Sequence, residues 1–222
     1  MVKCIKDYIK NLNIVIWCNI WCPYCYARST AKRFHSVEDF NIPTFFENKL
    51  RLIDSRKDKT YFLTAQCDLS WWSKEWTEKI FKKISENKNK TFIFQTKRPE
   101  LIKLDKTPDN WWFWITITSS NEKCRIKYLK ENIKAKHYLI TFEPMFDNIW
   151  GIDLSWIWWI VIWTETWSRK GKVSSKREWI FNIYNQAKEK NIPVFMKEDL
   201  LGILNEDEFV QEFPKEFGGI KW

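Results

Sequence analysis

Three cysteines fall within one short stretch, Cys18, Cys22 and Cys25, in the spacing C-x3-C-x2-C. Thiolates brought together on one loop are ligands for soft metals, and cysteine loops of this kind hold iron–sulfur clusters. The number of sulfurs matters. A structural zinc site closes its tetrahedron with four protein ligands, whereas a reactive site leaves one position open. Three sulfurs therefore predict a metal centre with a vacant corner. A zinc site would need Cys67 or His35 as its fourth ligand, because no second Cys-x-x-Cys pair is present.

Something must hold this loop, and the chain supplies a series of alternating elements. An apolar run at 11–17 precedes Cys18 and reads as a buried strand. Further short apolar runs at 60–65, 91–96, 112–118, 137–142, 159–163 and 193–196 alternate with amphipathic stretches. This is the pattern of a parallel sheet covered by helices. Helices are expected from Tyr26 to about residue 34, over 44–53 behind Pro43, over 73–86 with Ser73 as N-cap, briefly from Pro99, over 121–132, over 175–190, and in a short piece at 206–213. The residues just past each strand are polar: Cys18; Gln66, Cys67 and Asp68; Lys97 and Arg98; Ser119 and Ser120; Glu143; Glu165; and Lys197. In α/β barrels and open α/β sheets the carboxyl ends of the strands carry the site. Strands that simply exit into polar loops account for some of these residues, but less well for carboxylates and lysines at the ends of apolar strands.

Composition bounds the rest. The 222 residues are 45% hydrophobic and 29% charged, with a formal net charge of +9. That is a globular composition, long enough for one sizeable core, and neither a linker nor an internal repeat divides it. The absence of a long uninterrupted apolar run predicts no membrane span. The opening Met1-Val2-Lys3-Cys4-Ile5 lacks the apolar core of a signal peptide, so a cytoplasmic location is expected. There thiols stay reduced, and the six cysteines read as ligands and packing residues. Cys4 and Cys124 read as packing residues, Cys67 as a relay thiol or a small strand-end residue, and His35 and His137 as structural. The positive charge fits an anionic partner such as nucleic acid, but no nucleic-acid-binding motif accompanies it, and ordinary solvated surface is the better reading.

Sixteen tryptophans stand against five glycines, where glycine at its usual ~7% would contribute about 15. Several tryptophans occupy positions that suit glycine: Trp17 and Trp21 on the cysteine loop, and Trp71, Trp72, Trp163 and Trp167 at strand-to-loop transitions. A Trp at positive φ costs about 1–2 kcal/mol in backbone strain alone. The pattern predicts that many of these tryptophans, Trp114 among them, are UGA codons that the source cell reads as glycine. A chain truly rich in Trp is the alternative. Trp112, Trp159 and Trp179 sit at apolar strand or helix positions and read as genuine.

The ordered motifs resemble a known family. C-x3-C-x2-C with Tyr24 before the third cysteine, after the first strand of a βα series, is similar to the radical S-adenosylmethionine superfamily. Cys22-Pro23-Tyr24-Cys25-Tyr26-Ala27, Gln95-Thr96-Lys97-Arg98-Pro99-Glu100, Phe142-Glu143-Pro144-Met145 and Trp163-Thr164-Glu165-Thr166-Trp167 resemble an uncharacterised phage and bacterial branch of it. In that branch the last segment usually reads Gly-Gly-Glu-Ser-Gly, and glycine precedes each of the first two cysteines. The resemblance implies a single-domain partial (β/α)6-7 TIM-like barrel of parallel strands. Its core would span about 11–197, with a C-terminal extension over 198–222.

The resemblance also implies chemistry. Cys18, Cys22 and Cys25 would hold three irons of a 4Fe–4S cluster, and the fourth iron would take the amino and carboxylate groups of S-adenosyl-L-methionine. Reductive cleavage would yield methionine and a 5′-deoxyadenosyl radical that abstracts hydrogen from a substrate. Tyr24 would lie by the adenine. The family's Gly-Gly-Glu after strand two is replaced by Thr64-Ala65-Gln66-Cys67-Asp68, so Gln66 or Asp68 would accept from the ammonium. Lys97 or Arg98 would pair with a carboxylate or phosphate, or make a surface salt bridge. Glu143, Glu165 and Lys197 would face the barrel mouth, toward ribose hydroxyls or substrate. An electron donor such as flavodoxin or ferredoxin is implied as partner, with nucleic acid or a nucleotide as a substrate class. The competing expectation is a basic, zinc-stabilised nucleic-acid-binding protein without catalysis.

Overall fold

The computed structural model describes residues 2–34, 39–55, 59–166, 169–215 and 217. Seven strands form one sheet, all parallel, in the order β1-β4-β5-β6-β7-β8-β9. They are β1 (Lys10–Asn11), β4 (Thr60–Phe62), β5 (Thr91–Thr96), β6 (Trp111–Thr116), β7 (His137–Phe142), β8 (Trp159–Ile162) and β9 (Val194–Met196). From β5 onward each strand lies beside the one that precedes it in the chain, and the sheet curls into a half-barrel. Helices α4 (Lys74–Ser85), α5 (Cys124–Asn132) and α6 (Arg177–Glu189) make the crossovers that parallel neighbours require.

Period-two alternation divides the strands into two faces. Phe92 and Phe94, Phe113 and Ile115, Ile140 and Phe142, and Ile160 and Ile162 join Ile80 and Ile84 of α4, Ile126 and Leu129 of α5, and Ile180 and Ile183 of α6 in the outer core. Ile93, Trp112, Trp114, Leu139, Trp159, Val161 and Phe195 face inward. The inner core also takes Ile9 and, from the C-terminal segment, Phe213 and Phe217. Gln211 ties the two ends of the chain together: its amide accepts from Lys3 N at 2.7 Å and donates to Lys3 O at 2.8 Å. Phe213 and Phe217 thus complete the barrel floor.

The first quarter of the chain departs from the expected pattern. The run at 11–17 does not form one strand. Lys10–Asn11 pairs with β4, and Val15–Ile16 (β2) turns away to pair antiparallel with Thr44–Phe45 (β3). The expected helix over 44–53 therefore starts late: a 3-10 turn covers Glu47–Leu50, and α3 is only Arg51–Ser55. Thr44 and Phe45 are β-prone residues, and a partner strand decides between two weak local preferences. The segments at Pro99–Leu101 and Glu206–Glu208 are single 3-10 turns. The expected N-cap is present, with Ser73 Oγ accepting from Trp76 N at 3.2 Å. Among the described residues no helix is long and apolar enough to cross a membrane.

Candidate functional site at the mouth of the half-barrel

The cysteine loop runs from β2 to α2 (Tyr26–Phe34). It opens at Trp17, whose φ is +71°. Among the described residues other than glycine only Trp17 and Asn191 have positive φ, and asparagine tolerates that conformation. Cys18 N then donates to Phe40 O at 3.0 Å, and a tight turn brings Cys25 N to Cys22 O at 3.1 Å. Arg28 braces the loop from α2, donating to Cys18 O at 3.0 Å and to Asn41 Oδ1 at 2.8 Å. All three thiols are half-buried and free of disulfides. Two receive backbone N–H contacts at 3.4 Å, Cys18 Sγ from Ile20 and Cys25 Sγ from Arg28. Among the described residues no three His, Cys, Asp or Glu side chains approach closely enough to share one metal ion. His35 lies outside the described residues.

Cys67, just past β4, is 1% exposed. A hydrogen bond with Cys18, together with burial, pushes the Cys67 thiol far above its ordinary range. The same bond, helped by backbone N–H groups of Asp68 and Ile20 and opposed by burial, brings Cys18 down to about 7. Burial pushes Cys22 up, although the Lys97 ammonium works against it.

Asp68 organises the rim rather than facing solvent. Its Oδ1 accepts from Ser70 N at 3.0 Å, Ser70 Oγ at 2.8 Å and Thr96 Oγ1 at 2.7 Å, and its Oδ2 accepts from Lys97 N at 2.7 Å. These bonds tie the loop after β4 to the end of β5. Lys97 extends over Tyr24, its Nζ 5.9 Å from the ring centroid. Burial alone would lower the Lys97 pKa, but the acidic groups of Tyr24, Cys22, Asp68 and Cys18 outweigh it and raise it. The Tyr24 ring packs edge-on against Phe146 at 5.5 Å, and burial pushes its hydroxyl up. Arg98 turns away and pairs with Glu100 at 2.6 Å.

A cavity of about 460 Å³ opens beside this loop, inside the half-barrel. Tyr26, Gln95, Glu143, Trp163, Lys197 and Glu198 are among its walls. Glu143 Oε1 accepts from Lys197 Nζ at 2.8 Å and its Oε2 from Thr141 Oγ1 at 2.9 Å. Burial would raise the Glu143 pKa; the Lys197 charge and these two bonds overcome it and lower it. Lys197 Nζ also lies 4.7 Å from the Trp163 ring, whose Nε1 donates to Asp199 Oδ2 at 2.6 Å.

The expected site residues thus divide. Cys18, Cys22, Cys25, Tyr24, Lys97 and Asp68 come together at the rim, and Glu143 and Lys197 line the cavity. Glu165 is occupied elsewhere, in a two-pronged ion pair with Arg169 at 2.7 and 2.8 Å, its own side chain fully buried. Gln66 is half-buried in the loop after β4, and that loop gives the cavity Ala65 instead. Trp167 lies outside the described residues. His137 packs on Trp112 at 4.1 Å in the floor and donates from Nδ1 to Asp109 O at 2.9 Å, a structural role. Sequence reasoning missed Cys4, Tyr26, Gln95, Glu198 and Asp199 in the cavity wall. Gln95 was legible as a polar residue on the inward register of β5, and Glu198 and Asp199 as the next residues past Lys197. Nothing in the sequence marks Cys4, which comes from the N-terminal segment; its Sγ reaches Glu198 Oε1 at 3.7 Å.

Fold and site define a class: an all-parallel half-barrel of α/β type with a thiol-bearing loop and an acidic–basic pair at its mouth. The chain belongs to the family described as Protein of unknown function (DUF5131), which matches residues 13–219. No curated protein and no solved structure matches it.

Proposed function

We propose that this protein is a radical S-adenosylmethionine enzyme built on a partial (β/α)6-7 barrel of TIM type. One observation carries the reading: three free thiols sit on a single loop at the strand-end rim, beside a cavity large enough for a cofactor and a small substrate. The donor set fits a 4Fe–4S cluster. Each sulfur would serve its own iron, so the three need not share one ion, and two already receive the N–H contacts that tune cluster sulfurs. Cys18, Cys22 and Cys25 would hold the cluster, which when bound supplies the electron that cleaves S-adenosylmethionine to methionine and a 5′-deoxyadenosyl radical.

The chain's own residues would do the positioning. Tyr24 would lie by the adenine at the rim, and Lys97, whose backbone N–H is held by Asp68, would offer a cation to a carboxylate. Glu143 and Lys197 form a paired donor and acceptor for a polar substrate at the cavity wall. The basic balance and the cavity size suit a nucleotide or nucleic-acid substrate. Flavodoxin or ferredoxin would supply electrons in the cytoplasm. Anaerobic reconstitution with iron and sulfide tests this directly. The expected result is a brown protein that forms 5′-deoxyadenosine from S-adenosylmethionine and dithionite, and Cys22→Ala loses both. A colourless preparation that binds zinc stoichiometrically would replace the proposal with the zinc-stabilised nucleic-acid-binding protein.

A further inference from the structure

We infer that positions 17 and 114, tryptophan in this sequence, are glycine in the protein its own cell makes, through UGA codons read there as glycine. The cavity of the natural protein is correspondingly deeper. Two independent observations converge on these positions. Trp17 holds φ at +71° immediately before the first cysteine of the loop. That is a glycine conformation; for a bulky side chain it is an outlier. Trp114 is 5% exposed, and its Nε1 is buried with no hydrogen-bond partner. A buried indole N–H normally finds an acceptor, because leaving it unmade costs its desolvation.

Trp72 and Trp111 also bury an Nε1 without a partner, but in the outer core and away from the cavity, so position 114 is compared with the tryptophans of its own inner face. Trp159, on the same inner face, donates Nε1 to Glu212 O at 2.9 Å. Trp112 stacks on His137 at 4.1 Å and meets Phe217 edge-on at 4.7 Å. Both are integrated in the floor. Trp114 stands two residues further along the same strand, 5.7 Å from Phe62 and 6.0 Å from Trp159, and forms part of the cavity wall. The genetic explanation accounts for both sites at once, and for sixteen tryptophans beside five glycines. Without the indole at 114 the cavity would reach between Phe62 and Trp159 toward the floor. Position 114 therefore sets how large a molecule the mouth admits.

The test uses protein isolated from its source cells. Tryptic peptides spanning 11–28 and 107–123 are sequenced by mass spectrometry. Glycine is expected at 17 and 114, with Trp112 unchanged in the same peptide as position 114. Tryptophan at both positions, or UGG codons in the gene, overturns the inference. A second measurement addresses the backbone alone. In recombinant protein Trp17→Gly is expected to raise the midpoint of thermal unfolding above that of Trp17→Ala, since alanine keeps the left-handed strain and glycine removes it. Equal midpoints would overturn the backbone argument. Neither readout depends on a cluster or on cofactor cleavage, so this inference and the proposed activity stand or fall separately.

Discussion

The two faces of the sheet are made by the same strands and behave differently. The outer face is apolar along most of its length: Phe92 and Phe94, Phe113 and Ile115, and Ile140 and Phe142 are all at most 1% exposed. The inner face is graded. It begins as an apolar floor at Trp112, Leu139 and Trp159, and ends in polar residues at Gln95, Glu143 and Lys197. Uniform packing stabilises; a gradient leaves room for a ligand and holds charges in place to meet it. The outer face therefore carries the fold, and the upper inner face is where stability is given up for a site.

That contrast is broken most strongly on the outer side. Phe113→Ala should cost about 3–5 kcal/mol, read as a shift in the urea midpoint, because a helix covers the hole it leaves. At the rim, Asp68→Asn should cost about 3 kcal/mol, since an amide presents N–H to at least one of four donors and the charge on their acceptor is lost. On the inner wall, Glu143→Gln should cost about 2 kcal/mol at neutral pH by leaving Lys197 without its counter-charge.

The same pair gives a pH test. Glu143 is held below its ordinary value in the fold, despite the opposing effect of burial, mainly by the Lys197 charge. Its contribution is complete above the unfolded carboxylate pKa of about 4.3 and is lost as pH falls through the lower folded value. The stability difference between wild type and Glu143→Gln should therefore shrink in acid. A difference that stays constant from neutral to acid pH would remove the ion pair from the account. The smallest effect lies outside both faces: Ser73→Ala removes the N-cap of α4 and should cost about 1 kcal/mol without altering any property of the cavity.

Much of this was legible in the chain. Six of the seven sheet strands, β4 to β9, fall where short apolar runs stand, because a strand buried on both faces needs an apolar residue at nearly every position. Ser73, followed by helical spacing at Trp76, Ile80 and Ile84, announced α4. Glu143 and Lys197 were readable as polar residues one step past apolar strands. Before residue 60 only the cysteine loop and α2 behind it were legible; the strands at 10–16 and 44–45 and the start of α3 were not. There the elements are short, and each takes its form from a distant partner: Val15 from Phe45, and Lys10 from Tyr61.

The sequence by itself determined the parallel α/β pattern, the three thiols on one loop and the surplus of tryptophan over glycine. Local spacing and composition carry those, since they depend on neighbours along the chain. Only the tertiary structure decided that Cys67 meets Cys18, that Glu165 belongs to Arg169 while Glu143 belongs to Lys197, and that the N-terminal Cys4 reaches the cavity. Those pairings join residues from different turns of the fold, and curling of the sheet sets the distances between them.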